Sequence, residues 1–352
     1  MSVNSYLPAG FRPAIFDPLF PPAPPGGTAI PWDRAATENV HDPKHQGAWP
    51  RITVATPSFN QGEYLEETIR SVLLQGYPNL EYLVIDGGSG DKSVGVIEKY
   101  APWLSFWCSE KDRGQTHALI KSLERATGDV FNWINSDDSL APGALFKVAN
   151  AFQSCDLVAG VCLDFDPFGR RTLVPNSHLN PLDLISGREH SVFHQPSLWW
   201  RRERIAACGG LDEDFDLAFD YDLLLRYLAR QPRISYLEDV LAHFRLHPGS
   251  KTCSRAEGFG LEREIILKKL SARDDLPGLQ EPCRRRVRQL DWWREVERLR
   301  VGNGGSRLAR AAHLGWGAMA DPVVRMNRFT LGALRRILWG ATARRAAVRI
   351  GT

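Results

Sequence analysis

The sequence predicts an α/β protein built on a doubly wound sheet whose first strands run parallel. Three observations predict it. From residue 51, short apolar runs alternate with segments of helical periodicity, the pattern of strand–helix–strand units. Each apolar run stops at a polar loop rather than at another strand, as parallel connections require. The length of 352 residues suits two domains, or one large α/β domain with an appendage.

The chain before that pattern is different. Residues 1–50 are rich in proline, with Pro21-Pro22 and Pro24-Pro25-Gly26-Gly27 at the centre, and predict an extended arm or a disordered leader. Phe11, Phe16, Phe20 and Trp32 are its candidate anchors on a folded body. Ile52–Thr56 reads as a buried strand stopping at Pro57-Ser58, and 62–75 as a helix closed by Gly76-Tyr77-Pro78. Leu80–Ile85 is the next strand and runs into Asp86-Gly87-Gly88-Ser89. A helix near 92–100, a strand near 103–108 and a helix near 115–126 follow, and then a strand at 129–134. That strand ends in Asn135-Ser136-Asp137-Asp138. In doubly wound sheets ligands bind outside the carboxyl ends of the strands. Here three polar loops, at Pro57–Asn60, Asp86 and Asp137-Asp138, meet on that edge.

Beyond 142 the rhythm loosens. A helix over 142–153, a strand over 156–163 and a hairpin at Asp166–Gly169 are expected. Residues 194–200 include Trp199 and Trp200, a candidate stacking platform for a sugar. Asp220-Tyr221-Asp222 opens an apolar helix, and a last strand over 234–244 leads to Arg245-Leu246-His247. From about 258 the chain reads as helical and increasingly basic. Residues 301–352 hold nine arginines against one acid, Asp321, interleaved with Trp316, Phe329, Leu331, Leu334, Ile337, Leu338 and Trp339.

Composition narrows the function classes. The net charge of +3 is too small for nucleic acid to be the main partner. Six scattered cysteines without a C-x-x-C pair predict buried thiols in a reducing compartment rather than a disulfide framework or a zinc site. With no basic-then-apolar leader and no apolar run of membrane-spanning length, a cytoplasmic protein is expected. Arginines among apolar residues in 301–352 suit either an amphipathic helix on an anionic membrane or a helix packed back on the body.

Each loop alone also reads as a turn, because Asp, Asn, Ser and Gly favour turns. Their chemistry has a second reading. Adjacent carboxylates at a strand end suit a hard divalent cation that also grips phosphate. Asp86 beside glycines suits a nucleobase, and Lys111–Gly114 ahead of a helix suits phosphate. His247 suits a metal or a phosphate.

Jointly, Thr56-Pro57-Ser58-Phe59-Asn60, Val84–Ser89, Glu110–Gln115, Asn135–Asp138 and the 194–228 segment resemble a family 2 glycosyltransferase over about 51–253. The resemblance implies a GT-A fold: a doubly wound mixed sheet with a donor-nucleotide half (51–141) and an acceptor half (142–257), followed by the helical basic region 258–352. It implies sugar transfer with inversion from a nucleotide-diphosphate-sugar donor to a glycan or lipid-linked acceptor, with Mg²⁺ or Mn²⁺, in the setting of polysaccharide or glycoconjugate assembly. By the same resemblance Thr56, Pro57, Ser58, Asn60, Asp86, Ser89, Arg113, Gly114 and Asp137 serve the donor nucleotide. Asp137, Asp138 and His247 are the metal candidates, although Asn135 stands where the family commonly has aspartate. Arg245, His247 and Ser250 fall on the loop over the diphosphate, and Gln195 and Trp199 on the acceptor side.

Asp220 matches the position of the catalytic base, with Asp222 as alternative. The two project about 200° apart on a helix, so only one faces the pocket. A carboxylate in the first helical turn is expected to be held as the anion. Rival readings are a sugar-nucleotide nucleotidyltransferase, and a scaffold led by the basic tail.

Overall fold

The structure is a computed structural model, and it describes residues 17–23, 48–187, 192–301, 306–321, 323 and 328–339. Phe11, Phe16 and Trp32 of the arm lie outside them. Among the described residues, Met1–Arg263 and Glu264–Thr352 bound two compact units.

The first unit begins its sheet with β1 (Ile52–Ser58), buried along its whole length. Its run of Ile, Val and Ala has apolar atoms on both faces, as a central parallel strand must. Helix α1 (Leu65–Leu73) returns to β2 (Leu80–Asp86), which pairs parallel to β1 with Ser58 opposite Asp86. Helix α2 (Ser93–Tyr100) leads to β3 (Phe106–Ser109), and α3 (Gln115–Arg125) to β4 (Val130–Trp133). Both strands are parallel to their neighbours, β3 against β2 and β4 against β1. The strand ends therefore come out on one edge at nearly one level.

The second half of the unit makes the sheet mixed. Helix α4 (Ala144–Ala151) precedes the hairpin of β6 (Leu157–Phe165) and β7 (Arg171–Pro175). After the short α5 (Pro181–Ser186), β8 (Leu198–Arg201) enters antiparallel between β4 and β6. Helix α6 (Arg202–Ala207) and α7 (Phe219–Leu228) lead to β9 (Ile234–Arg245), parallel to β6. A two-residue strand, β5 (Ser139–Leu140), then pairs antiparallel to β9. The order is β3-β2-β1-β4-β8-β6-β9-β5, with β7 against β6. No sequence pattern announced β5. Its consequence is large, because it ties the acidic loop just before it to β9, the last strand of the sheet in chain order.

The core runs along the sheet through Val54, Val84, Ile97, Leu145 and Val158, and it takes in Trp199. Phe20 joins it, its ring 5.5 Å from Tyr100 and 5.1 Å from Trp103, so this residue of the arm is an anchor as expected. The unit continues through α8 (Lys251–Ser254) into α9 (Ala256–Ser271).

The second unit contains α10 (Pro277–Val301), α11 (Arg307–Ala320) and α12 (Arg328–Trp339). They share an apolar cluster of Val296, Leu299, Leu314, Ala333 and Ile337, with Leu334 and Leu338 packed on it. Within this unit the apolar face of α12 is covered, because three amphipathic helices bury one another's stripes. Trp316 and Leu331 stay exposed. Among the described residues no helix is long and apolar enough to cross a membrane.

Candidate active site

A cavity of about 680 Å³ opens at the carboxyl edge of the parallel strands. Its walls come from the loops after β1, β2, β3 and β4, and from the segment joining β9 to α9. Pro57, Ser58, Gly88, Gly114, Asp137 and Ser250 line it. The sequence placed all but Gly88 at the site and took Gly88 as the glycine that gives a base room. Ser58 Oγ is buried and has no hydrogen-bond partner among the described residues, which leaves it free for a ligand in the cavity.

The loop after β2 behaves otherwise than expected. Asp86 is fully buried, and its carboxylate accepts from Gly88 N (3.1 Å), Ser89 N (2.8 Å), Ser89 Oγ (2.6 Å) and Ser109 Oγ (2.7 Å). A buried carboxylate has to be satisfied locally, so this one makes the turn instead of meeting a base. Ser89 Oγ also accepts from Asn60 N at 2.8 Å, and Asn60 Oδ1 accepts from Gly90 N at 2.9 Å. Asn60, at φ 52°, thereby locks the first two loops together. Gly88 is needed for its φ of 82°, and because a Cβ there would sit 3.2 Å from Lys111 N. Thr56 Oγ1 is paired with Tyr82 OH at 3.0 Å inside the core. Thr56, Asn60, Asp86 and Ser89 thus hold the walls rather than form them.

Arg113 is another departure. Its guanidinium makes a two-pronged, exposed ion pair with Glu213, with Nη2 2.8 Å from Oε2, and it does not line the cavity. Lys111 and Gln115 on either side do.

The acidic loop divides its two aspartates. Asp138 is buried, with Oδ1 accepting from Arg245 N (3.0 Å) and Oδ2 from Asn135 Nδ2 (3.0 Å). Burial, aggravated by Asp137, pushes its carboxyl well above the usual range, and those two donors offset part of the effect. Asn135 suits this arrangement, since its amide donates where an aspartate would add a third carboxylate. Asp137 faces the cavity instead. Its Oδ2 lies 3.0 Å from His247 Nε2 and accepts from Gln61 Nε2 at 3.2 Å. The His247 ring packs on Tyr64 at 4.8 Å. Thr68 Oγ1 shares its one proton between the carbonyls of Ser136 (2.9 Å) and Asp138 (2.6 Å), which fixes the loop from α1.

Arg245 was expected on a diphosphate and is occupied otherwise. Its Nε donates to Asp137 O at 3.0 Å and its Nη2 to Glu67 at 2.7 Å, while the guanidinium lies over Phe165. It braces the acidic loop. Ser250 caps α8 and donates to His247 O at 2.8 Å.

At the start of α7 the aspartates divide again. Asp222 is buried against Arg226 (2.6 Å), whose other donors reach Cys208 O and Gly210 O. Asp220 has no ion pair like that of Asp222 among the described residues; its Oδ1 accepts from the adjacent Tyr221 N at 2.7 Å. Burial raises its carboxyl to about 6, against the opposing pull of that amide and of Arg263. Desolvation therefore outweighs the helix terminus, contrary to the expected stabilised anion. Asp220 is not among the residues lining the cavity.

The acceptor candidates do not survive in that role. Trp199 and Trp200 are wholly buried, Trp200 stacking on Trp133 at 6.4 Å, so neither offers a ring to a sugar. Gln195 is buried too and donates to Asn132 Oδ1 (2.8 Å) and Trp133 O (2.9 Å). For the two tryptophans the physical reason is the central position of β8 between β4 and β6, whereas Gln195, in the turn before β8, is drawn inward by these two bonds. Conversely, Gln61, Lys251, Arg255 and Asp216 line the cavity and were not singled out. Lys251 and Arg255 flank Asp216 at 2.7 and 2.8 Å. Their one signal was basic charge directly after the R-x-H loop.

Residues 53–209 match the model of the family described as Glycosyl transferase family 2. An uncharacterized glycosyltransferase of Mycobacterium tuberculosis is 31% identical over 185 residues, covering 50% of this chain and 68% of that protein. Among solved structures, Staphylococcus aureus TarS in complex with UDP-GlcNAc superposes with a TM-score of 0.55 at 17% identity, covering 82% of this chain and 88% of that one. The mannosyltransferase PcManGT from Pyrobaculum calidifontis, in complex with GDP-Man and Mn²⁺, gives 0.51 at 20% identity, covering 85% and 89%. The strand order, the cavity on the carboxyl edge and these similarities agree, and the chain belongs to the family 2 glycosyltransferases, with the GT-A fold.

Proposed function

We propose that this enzyme moves a sugar from a nucleotide-diphosphate-sugar donor to a glycan or lipid-linked acceptor, with inversion and with the help of Mg²⁺ or Mn²⁺. One observation carries the reading. A single cavity is lined by an unpartnered serine hydroxyl, by cationic side chains and by an aspartate paired with a histidine. Those are the donors a nucleotide, a diphosphate and a divalent ion each need. The nucleotide sugars bound by TarS and PcManGT support the donor class.

The residues fit a cation. Asp137 and His247 converge at 3.0 Å, and a carboxylate with an imidazole suits Mn²⁺ better than all-oxygen Mg²⁺. Asp137 and His247 would hold the ion, while Asp138 is spent on Arg245 N and Asn135. When bound, the ion would neutralise charge on the departing nucleoside diphosphate. Ser58 would receive the nucleoside. Lys111, Lys251 and Arg255 would face the phosphates, near the N-terminus of α3 beyond Gly114. Asp220 would take the proton of the attacking acceptor hydroxyl, which a carboxyl near 6 can do at neutral pH. The setting would be polysaccharide or glycoconjugate assembly. Peripheral membrane contact through 301–352 would rest on charge, since Leu334, Ile337 and Leu338 are packed within the tail.

The test is a thermal-shift panel of nucleoside diphosphates with and without Mn²⁺, followed by nucleotide release from the best-matched sugar donor. A metal-dependent rise in Tm and release that needs an acceptor support the reading. Turnover of a nucleoside triphosphate with a sugar phosphate, and none of a nucleotide sugar, would replace it by nucleotidyl transfer.

A further inference from the structure

Behind Phe244, whose residue lines the cavity, lies a group the proposed transfer does not use. Cys162 and Asp164 stand two apart on β6 and therefore point to one face of the strand. His194, from the segment before β8, meets them there. One donor atom from each of the three lies within 4.8 Å of the other two. We propose that Cys162, Asp164 and His194 are a second metal site, for Zn²⁺ or a chemically similar divalent ion, sharing no residue with the Asp137 loop.

Geometry supports this first. His194 Nδ1 and Asp164 Oδ1 are 3.3 Å apart, about the edge of a coordination tetrahedron with bonds of roughly 2.0–2.1 Å. Yet Asp164 Oδ1 is buried and makes no hydrogen bond among the described residues. A buried carboxylate oxygen left so is costly, and a cation between it and the ring removes the cost.

The ligands are also held in advance. His194 N donates to Asn176 Oδ1 at 2.7 Å, and Asn176 Nδ2 returns to His194 O at 2.9 Å. The ring of His194 packs edge-on against Phe244 at 5.3 Å. Asp164 sits in the middle of three strands, paired to Thr172 on one side and Phe244 on the other. Such fixed surroundings orient metal ligands.

The donor set selects the ion. A thiol, an imidazole and a carboxylate favour Zn²⁺ or Co²⁺ over Mg²⁺, and three protein ligands leave one position for water. Cys162 is fully buried, whereas Asp164 and His194 keep 15% and 16% side-chain exposure, which gives the ion a way in. On binding, the Cys162 S–H bond breaks and its proton passes to the buffer while sulfur bonds the metal. No cysteine spacing announces this site, since one thiol and two other residues meet only in the fold.

The experiment uses the full chain, treated with chelator, dialysed and titrated with Co²⁺, whose thiolate complexes absorb by charge transfer. The band should saturate at one ion per chain and be displaced by Zn²⁺ but not by Mg²⁺. It should vanish in Cys162→Ala, and persist in Asp137→Asn and in Cys253→Ala, which removes an exposed thiol. In His194→Gln the Co²⁺ affinity should fall by more than the roughly 10–100-fold that loss of an outer-shell partner costs. Circular dichroism checks the fold of each variant, and His194→Gln decides alone if Cys162→Ala does not fold. A folded wild type without the band, a band that survives Cys162→Ala, or an unchanged affinity in His194→Gln overturns the site.

Discussion

The acidic loop after β4 and the first turn of α7 solve the same problem with different results. Each offers two aspartates within two residues of one another, and each commits one of them to the fold. Asp138 is held by Arg245 N and Asn135, and Asp222 by Arg226. The free member differs. Asp137 has a histidine and an amide at its carboxylate and faces the cavity. Asp220 accepts from its neighbour's amide, and burial pushes it up to about 6. A carboxylate with a ligand-type partner is suited to a cation, and a desolvated one near neutrality to a proton. In both places the committed residue makes the other's position possible.

The sharpest way to break this contrast is to neutralise the free aspartates in turn. Asp137→Asn should lower transfer about 10³-fold or more, corresponding to the several kcal/mol a metal ion supplies at about 1.4 kcal/mol per decade. The Mn²⁺-dependent Tm shift should go with it. If Asp138→Asn loses that shift and Asp137→Asn keeps it, the roles within the loop are reversed.

Asp220→Asn should cost at least about 10²-fold in turnover with donor affinity nearly unchanged. Its stability signature has a defined sign. The folded carboxyl titrates near 6 against an ordinary 3.8, so the native state binds the proton more tightly than the unfolded chain. Stability is therefore lost as pH rises from about 4 to about 6, and Asp220→Asn should have an equal or higher Tm at pH 7.5. The wild-type rate should fall on the acid side of about pH 6. A Tm that drops at pH 7.5, together with an acid limb that does not move, would make Asp220 a structural residue.

Asp222→Asn removes one partner of a buried ion pair and should destabilise by about 3–5 kcal/mol, read as a lower urea midpoint. Turnover per folded molecule should stay close to wild type. A stable but inactive Asp222→Asn would move the base there. The smallest effect belongs to Arg113→Gln. Its exposed pair with Glu213 should matter little, with donor affinity and Tm both unchanged, because surface pairs contribute little. A clear loss of nucleotide affinity would bring Arg113 back to the cavity.

Local pattern determined a good deal about this protein. The order of strands and helices through β4, the carboxyl edge as the ligand side, and the polar loops at Ser58 and Asp137 follow from periodicity and turn chemistry acting over a few residues, whereas Gly114 and Ser250 were reached through the family resemblance. That Asp220 and Asp222 point apart follows from helical projection alone. What a side chain does with its charge is another matter, because its partners come from far along the chain. Asp86 is satisfied by Ser109, Arg113 is drawn off by Glu213 one hundred residues away, and Arg245 reaches back 178 residues to Glu67. Trp199 looked like a platform until β8 entered between β4 and β6 and buried it. Asp137 and His247 meet across 110 residues, next to the short pairing of β5 with β9, and Cys162 meets His194 only where β6 and the segment before β8 converge. Burial and long-range pairing set these outcomes, and both are properties of the folded chain rather than of any stretch of it.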